Sequence, residues 1–399
     1  MSHKNYPESK NLNVPPRLLL GPGPSNAHPR VLQSMTGPMI GYLDPDFMKI
    51  IEEVSQLLKP VFGTKNNATL AISGTGSAGM EAGLNSLLEP GDTVIMCICG
   101  FFGLRMKEMA ERLGANVIIL ESEWGKPFPV EILENEFKNH KQVKLVTIVQ
   151  AETSTGVFQN LDEISTLTQQ HDSLLMVDAV TSLGGNNVDV DKYKIDYCYS
   201  ATQKCLACPP GLSPVAISQR ALESVKNRNQ KPSSWYLDLN LIANYWGEDH
   251  IYHHTAPVSN IIGLREGLKI ILEEGIESRI YRHLKNSLAL RAGLTSLGLE
   301  LVVEGDHSLP QVTPVWIPKG IDDAIVRTSL LQDYGIEIGR GLGEFAGKVW
   351  RIGLMGESSK PENIFALLSA LEKILPNLGY EIAQGSGVAG ASAFLAKSD

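Results

Sequence analysis

No run of about 18 apolar residues occurs in the 399-residue chain, so no membrane-spanning helix is expected. Basic charge is also short: 35 Lys and Arg stand against 44 Asp and Glu, a net charge of −9. That balance argues against a nucleic-acid or anionic-membrane partner. Cysteine is scarce and odd in number, five residues in all, which fits a reducing compartment. Cys97 and Cys99 form a C-x-C, and Cys205 and Cys208 a C-x-x-C. A zinc site needs two ligand pairs at fitting spacing, and these come from different strand ends. A thioredoxin-like site needs a helix opening at the motif, where Pro209-Pro210-Gly211 stands instead. The thiols therefore read as small core hydrophobes, and no metal is expected. The opening MSHKNYPESK has neither the apolar core of a secretory signal nor the Arg-rich look of a transit peptide. The closing LAKSD is not an SKL address. A cytoplasmic location is the expectation.

What the chain does have is an ordinary globular composition, 43% apolar and 20% charged, and a length that suits about two domains. Residues 1–16 are polar and proline-containing and read as an N-terminal arm. Short apolar runs at 69–72, 93–99, 117–120, 143–149, 173–177, 195–200 and 215–217 alternate with helical periodicity at 47–61, 80–88, 104–113, 130–139, 161–170 and 220–228. Repeated βα units of this kind predict an α/β fold, a mostly parallel sheet covered by helices, over a large domain 17–274. Helices at 259–273 and 276–297 lead into a smaller α+β domain, 275–382. Its strands are expected near 299–303, 311–317, 336–339 and 349–354, and its helices near 322–333 and 361–375. The small-residue tail 383–399 reads as flexible.

The chemistry concentrates at strand ends. Asp178 closes one apolar run, and Lys204 lies in the loop just past another. In open α/β sheets ligands sit beyond the carboxyl ends of the strands, so the fold would bring a carboxylate and an amine to one rim. An amine that forms a Schiff base, with an acid beside a pyridinium nitrogen, is the protein's part in pyridoxal phosphate chemistry. A capping Asp and a solvated surface Lys would look the same from this pair alone. Residues 73–79, SGTGSAG, follow a strand and precede a helix, a cradle for an anion with Thr75 and Ser77 as added donors. Gly74-x-Gly76-x-x-Gly79 also matches a dinucleotide fingerprint, but the next strand ends in Cys99-Gly100-Phe101-Phe102 rather than in a ribose-binding acid. Either Phe could stack on a flat ring or fill core. Gly21-Pro22-Gly23-Pro24-Ser25-Asn26 must turn and could face a ligand. Arg351 lies in an apolar strand, where a planar fork gripping a carboxylate would justify it; Arg340, among glycines, suits a surface loop. His253 and His254 are adjacent and so expected to point in opposite directions.

With GPGPSN, ISGTGSAGMEA, ETSTGV, LLMVDAVTSLGG, YSATQKCLACPPG, YHHTAPV and GKVWRIGLMG in this order, the chain resembles the class V aminotransferases of pyridoxal phosphate fold type I. Within them it is most similar to the alanine–glyoxylate (serine–pyruvate) aminotransferase family. The resemblance implies pyridoxal 5'-phosphate as cofactor. Lys204 would hold it covalently and move the substrate proton, and Asp178 would keep the pyridine nitrogen protonated, with Val180 against the ring and Phe102 stacked on it. Thr75, Gly76, Ser77 and Gln203 would bind phosphate, and Thr153 the ring hydroxyl. Relatives often carry Trp at the position of Phe102 and some carry His at that of Ser77. Ser25, Asn26 and Arg351 would hold the substrate carboxylate. Tyr252 and Thr255 would reach the cofactor of a second subunit, which implies a homodimer. The implied reaction moves an amino group from alanine or serine to glyoxylate or pyruvate by a ping-pong route. Desulfuration or elimination are the other class V reactions, but every cysteine lies before residue 210, away from the small domain where a desulfurase carries its thiol.

Overall fold

Seven short apolar segments pair into one sheet in the computed structural model, which describes residues 12–397. They are β1 (Ala68–Ser73), β2 (Thr93–Ile98), β3 (Asn116–Glu121), β4 (Leu145–Val149), β5 (Leu174–Asp178), β6 (Tyr197–Tyr199) and β7 (Leu212–Ile217). Their order across the sheet is β1-β7-β6-β5-β4-β2-β3. Every residue of β4 and β5 is buried, as strands covered on both faces must be. Most of the expected N-terminal arm, residues 1–11, lies outside the described residues.

One strand runs against the rest. β7 pairs antiparallel with both β6 and β1, while the other pairings are parallel. Residues 200–211 therefore leave β6 and re-enter the sheet at the same rim, and Lys204 stays there. Leu212 pairs with Ser73, so the lysine loop and the glycine-rich turn are neighbours.

Two helices begin earlier than their periodicity predicts. α1 (Gly76–Leu87) starts within the glycine run, with Thr75 as N-cap. Gly79 is there for close packing, since a Cβ would sit 2.1 Å from Ser213 Oγ. α2 (Phe101–Arg112) takes both phenylalanines into its first turn. Further on, α3 (Val258–Glu274) and α4 (Ile276–Ser296) meet at Gly275.

A second apolar core gathers around the antiparallel sheet of β8 (Val312–Trp316), β10 (Val349–Gly353) and β9 (Gly339–Arg340), in that spatial order. Leu18–Leu19 pairs with Ile336–Glu337, and Leu20 lies inside this second core. The start of the expected large domain thus packs with the smaller unit. Near 299–303 there is only a bridge, Leu301 to Val315.

The expected flexible tail is instead a helix, α6 (Ser386–Lys397), lying on α4 and on α5 (Pro361–Asn377). Its small residues permit close approach: a Cβ on Gly387 would lie 2.8 Å from Leu297, and one on Gly390 2.2 Å from Ser296 Oγ. Glu372 Oε1 accepts the Gly387 and Val388 N–H groups at 2.8 and 3.2 Å, satisfying donors at the helix start. Composition alone reads as disorder here because the apolar partners sit on the other two helices. Gly390→Val is expected to lower unfolding free energy by about 1–3 kcal/mol through overpacking. Gly41→Ala, where nothing lies within 4 Å, should stay within about 0.5 kcal/mol in the same urea titration.

Candidate active site

Asp178 is the last residue of β5 and sits opposite Tyr199 of β6 in the register. Its carboxylate is buried and held by two donors: Tyr199 Oη to Oδ2 at 2.6 Å and the Val180 N–H to Oδ1 at 2.8 Å. Burial pushes Asp178 up to about 6, against those hydrogen bonds and the charges of Lys204 and Arg105. Lys204 is buried at the same rim. Burial and then the positive charge of Arg351 push its amine down to about 8, against the pull of Cys205 and Asp178. The two groups lie close enough for each charge to stabilise the other.

The GPGPSN turn closes over the lysine. Lys204 Nζ donates to the Pro22 carbonyl. Gly23 has φ 116, and a Cβ there would collide with the lysine amine, so this position needs glycine on both counts. Ser25 Oγ donates to the Lys204 carbonyl at 2.7 Å, and the Ser25 N–H to the Gln203 carbonyl at 2.9 Å. Ser25 thereby fixes the lysine loop.

Beside this pair lies the start of α1. The Gly74 N–H donates to the Gly211 carbonyl at 2.9 Å, tying the turn to the lysine loop. A Cβ on Gly76 would sit 3.1 Å from Val180 and 3.0 Å from Ala201, so the helix start abuts the residues flanking Asp178 and Lys204. Thr75 caps with its backbone only, which leaves its hydroxyl free of the helix. Ser77 Oγ accepts from Arg105 Nη1 at 3.3 Å. Gln203 Oε1 is buried with no partner.

The far wall is made by Thr153 and Arg351, both buried. Arg351 donates from Nε to the Arg340 carbonyl at 2.8 Å and from Nη1 to the Thr153 carbonyl at 3.1 Å. Thr153 Oγ1 lies 2.5 Å from Thr181 Oγ1. Phe102 sits in the first turn of α2, edge-on to Phe101 at 5.8 Å, with the Arg105 guanidinium 4.9 Å from its ring centre. Arg340, by contrast, is exposed.

Asn26 and the histidine pair are placed differently from expectation. Asn26 is held by Arg17, Leu19 and Ser358: its Nδ2 donates to the Arg17 carbonyl, and its Oδ1 accepts from the Leu19 N–H and Ser358 Oγ. Both its oxygen and its nitrogen thus help to hold the loop. Tyr252 and Thr255 are exposed, with Tyr252 5.4 Å from the Tyr42 ring. The histidines do not point apart. A bend at His254 brings the two Nδ1 atoms within 2.8 Å, and His254 Nε2 lies 2.6 Å from Ser73 Oγ.

Tyr199, Arg105 and Glu152 are near the site and were not picked out from the sequence. Tyr199 carried a readable signal, because a buried tyrosine hydroxyl needs a partner and its strand ends level with Asp178. Arg105 is masked by the polar face of a helix, and Glu152 by the threonines and serine that follow it.

The sequence matches the family Aminotransferase class-V over residues 19–347. The alanine–glyoxylate aminotransferase of Drosophila melanogaster is 40% identical over 369 residues, covering 91% of this chain and 93% of that one. The crystal structure of the ureidoglycine–glyoxylate aminotransferase from Bacillus subtilis superposes with a TM-score of 0.94 at 41% identity, covering 96% of this chain and 99% of that chain. That of an alanine–glyoxylate aminotransferase from Nostoc sp. does so with a TM-score of 0.90 at 46% identity, covering 92% and 97%.

Only a neutral amine attacks an aldehyde. With Lys204 depressed from 10.5 to about 8, its reaction with an aromatic aldehyde should speed up about tenfold per pH unit below that value and level off above it. Peptide mapping after reduction would follow the rate at this residue. A rate still climbing at the pH of an ordinary lysine would contradict the assignment.

Proposed function

The chain belongs to the class-V aminotransferases, whose cofactor is pyridoxal phosphate, and from that premise we propose that it moves an amino group from a small amino acid, alanine or serine, to glyoxylate or pyruvate. The observation that carries the reading is the buried lysine beside a buried, doubly hydrogen-bonded aspartate, with a buried arginine across the cleft.

The residues present fit the cofactor. The free Thr75 hydroxyl, the start of α1 and Ser77 form an anion cradle. Gln203 directly precedes Lys204 in the chain, and turning its amide over would offer two N–H donors in place of its unpartnered oxygen. Val180, in contact with Gly76, and Phe102 would flank the ring, and Thr153 would meet its hydroxyl. When bound, the cofactor draws electrons from the substrate Cα and makes its proton acidic.

The protein's own work follows from the geometry. Asp178 keeps a proton on the ring nitrogen, and Tyr199 with Val180 stops the carboxylate from turning away. Lys204, about half neutral at pH 8, would hold the cofactor aldehyde and, once the amino donor has displaced it, would carry the substrate Cα proton at Nζ. Arg351 offers Nη2 and the second Nη1 hydrogen to the substrate carboxylate, since its other donors are engaged by backbone. The first keto acid leaves before the second binds, a ping-pong order. All three glyoxylate-using relatives support that acceptor. Desulfuration is disfavoured because all five thiols are buried and so poor nucleophiles.

A homodimer with Tyr252 and Thr255 reaching the partner's cofactor is part of the proposal. Exposed Met39, Leu43, Trp235, Tyr236, Ile251 and Tyr252 support it, since surface aromatic and aliphatic groups of this size mark an interface when they cluster. Met39, Tyr42 and Thr255 line one groove of about 380 Å³. The unpaired thiols support a cytoplasmic location.

Initial rates over a panel of amino donors, with glyoxylate and with pyruvate, test the reading. Alanine or serine with glyoxylate should be the fastest pairs, Lys204→Ala should abolish turnover, and Asp178→Asn should lower kcat about ten- to a hundredfold. Repeated turnover by Lys204→Ala would refute it.

A further inference from the structure

One buried acid in the cleft has no part in the reaction described above. Glu152 is fully buried where the chain leaves β4, and its carboxylate is saturated by local donors. Oε1 accepts from the Ser154 N–H at 3.0 Å and Ser154 Oγ at 2.6 Å, and Oε2 accepts from the Phe102 N–H at 3.2 Å. Ser154 Oγ in turn accepts the Phe101 N–H at 2.9 Å. These are the first donors of α2, whose own N-cap is Gly100 and supplies no side chain. A Cβ on Gly100 would lie 2.5 Å from both Glu152 Cγ and Ser154 Oγ. The glycine is absent of side chain because the cap comes from the next strand, and a carboxylate is the best-matched group for the positive end of a helix.

We infer that Glu152 is the positioning residue that seats the Phe102 ring against the cofactor, by capping α2 from the adjoining strand. This rests on the pyridoxal phosphate reading of the cleft. Thr153, the neighbour of Glu152, bonds Arg351 through its carbonyl, so one short segment sets both the ring wall and the carboxylate-binding wall. Burial pushes Glu152 up to about 7, helped by the charge of Asp178 and opposed by the donors from Ser154 and Phe102, and Arg351 in turn feels the charge of this carboxylate.

The test compares Glu152→Gln, Ser154→Ala, Phe102→Leu and the Glu152→Gln/Phe102→Leu double variant with the parent. Pyridoxal phosphate affinity is measured by equilibrium dialysis, and the visible circular dichroism of the bound cofactor reports the asymmetry of its ring environment. Glu152→Gln should weaken affinity about tenfold, the size of one charge-assisted hydrogen bond, and change the dichroism. Ser154→Ala should do the same to a smaller degree, which keeps the test open if the Gln variant does not fold. Because the acid acts through the ring, the double variant should bind no worse than Phe102→Leu alone. Additive losses, or a lower melting temperature with affinity and dichroism unchanged, would overturn the inference. A parent protein that binds no cofactor at Lys204 would instead sink the reading on which it rests.

Discussion

A carboxylate kept dry and unable to turn is the constraint on which the rest depends. Asp178 lies in a strand with no exposed residue, and both its oxygens are held from the protein side. Burying a charge this way is unfavourable unless an opposite charge is supplied. Lys204 meets that need in part, and a protonated ring nitrogen would meet it fully. The same burial lowers the lysine toward neutrality, while the hydrogen bonds and nearby charges at Asp178 oppose the upward push of burial on the acid.

The topology makes that cleft. If β7 ran parallel to its neighbours, the connection from β6 would have to cross the sheet and would carry Lys204 away from Asp178. Running antiparallel, it returns the chain at once and lays the lysine loop beside the start of α1. The GPGPSN turn, whose neighbouring strand pairs with the smaller unit, then bridges the two cores and covers the lysine. The wall of the cleft therefore joins both cores, with Arg351 contributed from the second sheet.

Much of this was legible in the sequence because it rests on local pattern. Apolar runs ending in Asp178 and just before Lys204 located the rim, and Gly74 to Gly79 marked the turn that opens α1 beside it. Arg351 stood out as a charge in an apolar strand. What could not be read depended on partners distant in the chain. The early start of α2 is set by Glu152 and Ser154, about fifty positions away in sequence. The helical tail is set by apolar groups on α4 and α5, and Asn26 is held by Arg17, Leu19 and Ser358. The histidine contact follows from a bend that alternation along a strand does not anticipate.

The central claim is that the amine at position 204 is the one joined to the cofactor. Borohydride treatment of the purified protein, followed by peptide mapping, tests it most directly. The account predicts that a yellow protein bleaches and that the reduced pyridoxyl group is found on Lys204. A colourless protein under cofactor-saturating conditions, or a pyridoxyl group fixed on some other lysine, would contradict it.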